Sequence, residues 1–251
     1  MVKKIIIANW KMSPQSHKMA EDIVKNILFG IKKIKSKPEI VLCPPYVWLT
    51  DFSHKIKQVK WGAQDVFWES SGAYTGEISA GMLKSSGVTH IIVGHSERRG
   101  SLGETDDMIN KKIRAALKAG LKTVLCVGER SRSEPDFYNF IKDELFADLA
   151  GVSGRLAKNL LIAYEPLWAI GTGDTPEPDD IFEMATYIRR NIFDILGKKA
   201  AYEIPVLYGG SVDAKNAAGF LRAKGVNGLL VGGASLVPNE FVGIVRASHG
   251  I

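Results

Sequence analysis

The segment Ala163–Gly173 has the residue types of a catalytic element, because it places a carboxylate between a predicted buried strand and a glycine-containing loop. The apolar run Leu160–Ala163 predicts the strand, and the proline after Glu165 favours an extended backbone at the glutamate. A carboxylate at this place, below a loop with two glycines, is typical of a general base beneath a lid. On these residues alone, the alternative is a salt-bridged glutamate in an ordinary loop.

Polar side chains end three of the apolar runs in the chain. The three sets of alternate residues are Ile5, Ile7, Asn9 and Lys11, then Ile91, Val93 and His95, and then Leu161, Ala163 and Glu165. Residues two apart on a strand share a face, so each set is predicted to be apolar inside and polar at its carboxyl end. A lone histidine on an apolar face is more often a core residue, but the repetition on three strands favours a site role for His95.

Two glycine pairs end the last apolar runs. They are Gly209–Gly210, followed by Ser211, and Gly232–Gly233, which follows Val231. Glycines allow backbone N–H groups to come close to an anion, and phosphate sites in parallel barrels are commonly built from the loops after strands seven and eight. The pairs therefore predict a phosphate site, and the alternative is that they only fit tight turns.

The elements that must position these residues alternate along the chain. Strands are predicted at Lys4–Trp10, Ile40–Pro44, Lys60–Val66, His90–His95, Thr123–Gly128, Leu160–Glu165, Pro205–Gly210 and Gly228–Ala234. Amphipathic stretches between them, as at Met19–Lys35, Glu104–Leu117 and Ile181–Leu196, predict helices, and Thr175–Glu177 is the predicted cap and first turn of the last of these.

Eight such units in 251 residues favour an α/β fold with a closed eight-stranded parallel (β/α)8 barrel. We expect a single domain over residues 1–251, since no linker divides the chain. An open doubly wound sheet is the alternative, but no G-x-G-x-x-G sequence follows the first strand.

Composition limits the classes of partner. The hydrophobic fraction of 45% and charged fraction of 24% are ordinary for a globular protein, and no apolar run is long enough to span a membrane. The net charge of +6 is compatible with nucleic-acid binding, but the lysines are spread along predicted helices without interleaved aromatic residues. We expect solvated helix faces, no nucleic acid and no membrane partner, with the excess charge helping to attract an anionic substrate.

Cysteine usage bears on the cellular compartment. Cys43 and Cys126 are the two cysteines, and each lies inside an apolar run. Their number and spacing predict neither a disulfide framework nor a metal site. The charged N-terminus runs directly into a strand, unlike a signal peptide. We therefore expect a cytoplasmic protein.

Six segments, in register over nearly the full length, closely resemble the triosephosphate isomerase family. They are Ala8–Met12, Gly94–Arg99, Cys126–Glu129, Tyr164–Gly173, Tyr208–Val212 and Val231–Leu236. The resemblance implies a TIM barrel that interconverts dihydroxyacetone phosphate and D-glyceraldehyde 3-phosphate through an enediolate, in glycolysis and gluconeogenesis, with no metal or organic cofactor. The alternatives are an isomerase of a larger phosphosugar, disfavoured by the short lid, and a non-catalytic phosphate-binding barrel, disfavoured by the presence of Glu165, His95 and Lys11.

The resemblance also implies roles for individual residues. Glu165 would move a proton between adjacent substrate carbons, and His95 would act on the substrate oxygens as a neutral electrophile. Lys11 would supply positive charge, and Asn9 a nearby hydrogen-bond donor. Ser96 and Glu97 would support these groups from behind. The phosphate would be bound by Gly171, Ser211, Gly232 and Gly233.

Two loops carry further expectations. In the fifth loop, Arg130–Pro135 departs from the family pattern, so the resemblance does not extend to its conformation. The third loop, 64–76, is long for a strand-to-helix connection and carries three aromatic residues, which favours an interface. The alternative is that Phe67, Trp68 and Tyr74 pack onto their own barrel. The family resemblance implies a homodimer in which Thr75 enters the partner's active site.

Overall fold

A closed barrel of parallel strands forms the centre of the molecule. The computed structural model describes residues 4–132, 136–169 and 175–250. The strands are β1 (Ile5–Asn9), β2 (Glu39–Cys43), β3 (Lys60–Ala63), β4 (His90–Val93), β5 (Lys122–Val127), β6 (Leu160–Tyr164), β7 (Val206–Tyr208) and β8 (Gly228–Val231). Each strand pairs in parallel with the next, and β8 pairs with β1. The predicted (β/α)8 barrel is confirmed.

Helices follow the strands and cover the outside of the barrel. They are α1 (His17–Ile31), α2 (Tyr46–Lys55), α3 (Ala80–Ser85), α4 (Ser96–Leu102), α5 (Asp106–Lys118), α6 (Phe137–Asp148), α7 (Gly154–Ala157), α8 (Pro178–Leu196), α9 (Lys198–Glu203), α10 (Ala217–Arg222) and α11 (Pro238–Ala247). Short 3-10 turns occur at Leu167–Ala169 and Gly233–Leu236. Within the described ranges, no helix is long and apolar enough to cross a membrane.

All three predicted helices differ from the structure in their bounds, and α5 runs over Asp106–Lys118 and not Glu104–Leu117, because Thr105 caps its start by accepting from the Met108 N–H. α8 begins at Pro178 and not within Thr175–Glu177, because the side chains of the preceding glutamate and of Asp180 cap each other's backbone and proline fits the first helical position. α1 begins at His17 and not at Met19, because the Ser16 side chain accepts from the Met19 N–H, and it ends at Ile31 and not at Lys35, where the Lys32 N–H donates to the Phe29 carbonyl in a tighter turn.

Apolar side chains form two layers, one inside the barrel and one between the barrel and the helices. The inner layer consists of Ile5, Ile7, Val41, Cys43, Ile92, Val124, Cys126, Leu161, Ala163, Leu207 and Leu230. The larger outer layer includes residues of every strand and of the buried helix faces. On β1 and β6 the inner residues are the ones that the alternation predicts.

The predicted alternation is wrong on β4. Ile91 and Val93 pack in the outer layer, and Ile92 lies inside the barrel. Gly94 follows with φ of +73°, a backbone conformation that glycine adopts readily, and it interrupts the alternation. His95 therefore reaches the barrel mouth although the apolar residues before it, two and four positions back, face outward.

The seam that closes the barrel depends on a glycine. Gly228 of β8 stands opposite Ile5 of β1. A Cβ atom on Gly228 would lie 2.0 Å from the Ile5 carbonyl oxygen, which is far inside van der Waals contact. Any larger residue would push the last strand away from the first.

A cluster of charged residues fixes the third loop against α4 and α5. Lys112 Nζ lies 2.8 Å from both carboxylate oxygens of Asp65 and also contacts Glu104. Arg98 lies 2.8 Å from Asp65 Oδ2 and contacts the same glutamate. Opposite charges are thus paired, as burial requires. The start of α4, next to His95, is held together with this loop.

Candidate active site

One cavity at the carboxyl ends of the strands collects most of the predicted site residues. Its volume is 460 Å³, within the range of small-ligand sites. The predicted residues that line it are Asn9, Lys11, His95, Glu165, Ser211, Gly232 and Gly233. Ser96 and Glu97 lie behind this lining and contact Glu165 and Lys11 respectively. Gly171 lies outside the described residues.

The Glu165 carboxylate is buried at the end of β6, with its side chain only 1% exposed. Its Oε2 accepts a hydrogen bond from the Ser96 N–H at 3.1 Å. Its Oε1 lies 3.3 Å from His95 Nε2, but the atoms are not aligned as a hydrogen bond, and the described residues provide Oε1 with no other partner. An unsatisfied carboxylate oxygen at the cavity wall is well placed to accept a proton.

The start of α4 orients the His95 ring. His95 Nδ1 accepts a hydrogen bond from the Glu97 N–H at 3.2 Å. A ring nitrogen that accepts a hydrogen bond carries no proton, so we assign the proton of the ring to Nε2. With this tautomer the ring directs its Nε2–H toward Glu165 and the cavity.

Lys11 has an uncommon backbone conformation, with φ of +54°. Asn9 Oδ1 accepts a hydrogen bond from the Lys11 N–H at 3.1 Å, and Gln64 Nε2 donates to the Lys11 carbonyl at 2.9 Å. Left-handed backbone in a residue other than glycine persists only where its surroundings support it, and it clusters at functional sites. Lys11 Nζ lies 2.5 Å from Glu97 Oε1, so the cation is paired at the edge of the cavity.

The loops after β7 and β8 form the wall that contains the glycine pairs. Among the described residues, the N–H groups of Gly232 and Gly233 donate no backbone hydrogen bond. A Cβ atom on Gly232 would lie 3.7 Å from Lys11 Nζ, and one on Gly233 would meet nothing within 4 Å. Ser211 Oγ donates to the Ala169 carbonyl at 2.6 Å and so ties the seventh loop to the segment after Glu165. Open backbone N–H groups beside a cation suit an anion.

The third loop does not line this cavity. Phe67 contacts Trp68 and Tyr74, with ring centroids 4.1 and 4.8 Å apart, so its aromatic residues pack on one another. Thr75 is exposed beyond them, and Tyr74 is 45% exposed. The alternative prediction, that the aromatic residues pack within their own subunit, thus applies to part of this aromatic cluster. The tip of the loop at Thr75 is exposed. The interface role of Thr75 stays a prediction.

The chemical capability of the cavity follows from three groups. A buried carboxylate can take a proton from carbon, a neutral imidazole N–H can polarise a carbonyl, and an ammonium group can stabilise the negative charge that develops. In the ranges that the structure describes, no group of three or more His, Cys, Asp or Glu residues could hold a metal ion.

Comparison with known proteins places the chain in a family. The family model for triosephosphate isomerase matches residues 4–248. The chain is similar to the triosephosphate isomerase of Caldanaerobacter subterraneus subsp. tengcongensis, at 44% identity over 98% of this chain and all of the relative. Relatives from Alkaliphilus oremlandii and Geotalea uraniireducens are 42% and 40% identical over 98% and 99% of this chain, and all of each relative. The chain belongs to the triosephosphate isomerase family.

Some residues around this cavity were not predicted. Gln64 contacts both the Lys11 carbonyl and the Cys43 carbonyl, at 2.9 and 2.8 Å, and so connects the first loop to β2. Leu230 and Thr175 line the cavity as well. The one available signal for Gln64 was a polar residue inside the predicted strand Lys60–Val66, which in the structure ends at Ala63. The sequence gave no signal for Leu230, because an inward-facing leucine near the end of a strand is typical of a core residue.

Proposed function

We propose that this chain interconverts dihydroxyacetone phosphate and D-glyceraldehyde 3-phosphate. The observation that carries the proposal is the convergence of Glu165, His95 and Lys11 on one small cavity. Relatives that match the chain along nearly its full length have the name triosephosphate isomerase, which supports a triose phosphate over a larger phosphosugar. The catalytic groups argue against a barrel that only binds phosphate compounds.

Glu165 starts the reaction as the base. Its carboxylate takes a proton from the substrate carbon next to the carbonyl, and the electron pair of the C–H bond becomes the second bond between the two carbons. The carbonyl electron pair moves to oxygen and gives an enediolate. Glu165 then returns the proton to the neighbouring carbon. The two carbons exchange oxidation levels within one molecule, so the balance requires no outside oxidant.

His95 and Lys11 act on the substrate oxygens. The His95 Nε2–H donates to the developing oxyanion, gives up its proton there and takes one from the neighbouring hydroxyl. A neutral ring can do both, because its Nδ1 is occupied by the Glu97 N–H. Lys11 stabilises the same charge, with the Asn9 side chain holding its backbone.

Phosphate binding is proposed for Ser211, Gly232 and Gly233, together with Gly171, which lies outside the described residues. The open N–H groups of the eighth loop and the nearby Lys11 ammonium support this assignment. Anchoring the phosphate fixes the distance from the reacting carbons to Glu165, which is how binding remote from the reaction raises its rate.

A coupled assay with glyceraldehyde 3-phosphate tests the function. We expect rapid conversion by the parent chain and loss of at least 100-fold in Glu165→Gln, with unchanged binding of inorganic phosphate. A parent chain that binds phosphate without isomerising either triose phosphate would overturn the proposal in favour of a non-catalytic barrel. Activity on a larger phosphosugar alone would overturn the assigned substrate.

We also propose that the chain forms a single domain and acts as a homodimer in the cytoplasm. Large apolar side chains are exposed after each of the first four strands, namely Met12, Val47, Met82 and Leu102. Such exposure of apolar side chains supports a contact with a second copy. Cys43 and Cys126 are unpaired and buried, which is the usage of a reducing compartment.

A further inference from the structure

The short helix α4, which begins directly after His95, is positioned by charged side chains. None of its residues, all of which the structure describes, is buried, so apolar packing contributes little to where the helix lies. Arg98 pairs with Asp65 of the third loop, whereas Arg99 pairs with carboxylates of α5 and α6. The orientation of the chain around His95 therefore depends on contacts that these arginines make.

Carboxylates from two neighbouring helices hold the Arg99 guanidinium. Its Nη1 lies 2.5 Å from Asp106 Oδ1, in the first turn of α5, and its Nη2 lies 2.5 Å from Asp148 Oδ2, at the end of α6. Glu144 Oε1 of α6 lies 3.5 Å from Nη1. The Asp148 side chain is fully buried, so its negative charge requires a cation beside it. The guanidinium is thus fixed by elements other than the helix that carries it.

The Nε atom of Arg99 reaches the peptide bond that precedes His95. It donates to the Gly94 carbonyl at 2.9 Å. Gly94 has the positive φ of +73° that turns His95 toward the cavity, and a Cβ atom there would lie 3.1 Å from Arg99 Nη2. Because a peptide bond is planar, the direction of the Gly94 carbonyl also sets the position of the His95 nitrogen. Arg99 therefore connects α5 and α6 to the backbone that directs the His95 ring.

This set of contacts requires the shape of an arginine. Nε, Nη1 and Nη2 each have a separate partner, namely the Gly94 carbonyl, Asp106 and Asp148. A guanidinium presents its donors in a rigid planar fork, whereas a lysine carries a compact charge on a flexible stem. A lysine at this position could still neutralise the carboxylates, but it could not hold the Gly94 carbonyl at the same time.

We propose that Arg99 is a positioning residue that fixes the His95 ring for its action on the substrate oxygens by holding the Gly94 carbonyl. The inference rests on the proposed isomerase function and adds to it a residue that does not line the cavity. Displacement of a reacting group by about 1 Å can cost on the order of 100-fold in rate. Loss of the Nε contact should therefore slow the steps that His95 performs and leave phosphate binding unchanged.

The test compares Arg99→Lys with the matched control Arg189→Lys. Arg189 is also half-buried, and its guanidinium donates to backbone carbonyls just before β7 and β8. Both substitutions keep the positive charge and remove hydrogen bonds from a guanidinium to the backbone. The contacts of Arg189 lie at the amino ends of the strands, at the opposite end of the barrel from His95, so this control reports the effect of lost structural support alone.

The measurements are kcat, the inhibition constant of inorganic phosphate, the free energy of unfolding, and the nitrogen NMR signals of the histidine rings in protein made with labelled histidine. The His95 signals are identified by their loss in His95→Gln. For Arg99→Lys we expect a kcat at least 10-fold lower, a phosphate inhibition constant within twofold of the parent, and shifted His95 signals. The signals should shift because the hydrogen bond from the Glu97 N–H to Nδ1 changes when the preceding peptide turns. Arg189→Lys should match the parent in kcat and in the His95 signals, whatever its stability.

A double variant shows whether Arg99 acts through His95. In His95→Gln/Arg99→Lys we expect a kcat within threefold of that of His95→Gln alone, because a ring that is absent cannot be misplaced. Losses that multiply in the double variant would overturn the inference, since they show a structural effect independent of His95.

A further variant keeps the inference testable if Arg99→Lys folds poorly. Asp148→Asn removes the charge that holds Arg99 Nη2 and keeps nearly the same side-chain volume. We expect a kcat at least threefold lower and a shift of the His95 signals in the same direction. Parental His95 signals in whichever of these two variants folds overturn the inference, and so does a kcat within twofold of the parent in Arg99→Lys.

The parent chain separates this inference from the proposed function. An inactive parent would overturn the isomerase assignment and the inference with it. An active parent whose Arg99→Lys variant behaves like Arg189→Lys would overturn the positioning role alone.

Discussion

At the scale of single residues, the rate of proton transfer depends on the distance between the Glu165 carboxylate and the substrate carbon. Glu165 is buried and restrained by the Ser96 N–H and the backbone of β5, so its side chain has little freedom to compensate for a change in length. Glu165→Asp withdraws the base by about 1 Å, which should lower kcat on the order of 100-fold and change KM far less. The coupled assay measures this, with Glu203→Asp on an exposed helix position as control. Turnover within twofold of the parent would show that Glu165 is not the base.

A substitution of Lys11 tests, at the same scale, whether the reaction requires a positive charge near the substrate oxygens. Its strained backbone is held by Asn9 and Gln64, contacts that do not involve the ammonium group. Lys11→Met should therefore keep the fold and lower kcat by about 100-fold or more, because a preorganised charge at the oxyanion is removed. Circular dichroism checks the fold, and Lys18→Met, on an exposed helix position, is the matched control. Near-normal kcat in Lys11→Met would remove Lys11 from the catalytic site.

At the scale of elements, ionic contacts at the amino ends of the strands connect β2, β4 and β5. Glu39 Oε1 lies 3.1 Å from His90 Nε2 and 2.8 Å from Lys122 Nζ. The close contact with the His90 ring, followed by the contacts of Lys122, lowers the pKa of Glu39 to about 2 against the partly opposing effect of burial. Because the folded pKa lies below the unfolded value of 4.5, this contribution to stability is present above pH 4.5 and is lost as the pH falls toward 2.

Urea unfolding at several pH values tests this contact. The parent should be more stable than Glu39→Gln above pH 5, and the difference in the free energy of unfolding should shrink steadily between pH 4.5 and pH 2. Glu203→Gln, at an exposed position of α9, controls for general acid effects. A difference between parent and Glu39→Gln that stays constant across this range would show that Glu39 titrates normally.

Elements also show what the sequence could and could not predict. All eight strands follow from short apolar runs, and the polar ends of β1 and β6 follow from period-two alternation, because a strand repeats every two residues. On β4 the same rule gave the wrong inner residues, since one positive-φ glycine rotated His95 back to the cavity. The contacts of Gln64 join distant segments of the chain, and no local sequence pattern encodes such contacts.

At the scale of the whole molecule, the exposed tip of the third loop and the exposed apolar side chains after the first four strands require an explanation. If a second copy covers them, Thr75→Arg places a charge in a packed contact and should give monomers with severely reduced activity. Analytical ultracentrifugation with a parallel assay measures both properties. Thr186→Arg makes the same change on the exposed face of α8 and should leave the dimer intact. A fully active monomeric Thr75→Arg protein would contradict the proposed dimer.

The seam between β8 and β1 has a consequence for biosynthesis. A closed barrel has no free strand edge, which removes the usual template for edge-to-edge aggregation. That protection is absent until the eighth strand has left the ribosome, since the partner of β1 on its second side lies more than two hundred residues downstream. Until then the incomplete sheet has two unpaired edge strands that can pair with other chains, and one of them is Ile5–Asn9. Premature termination before Gly228 would release a chain whose first strand has nothing to close against.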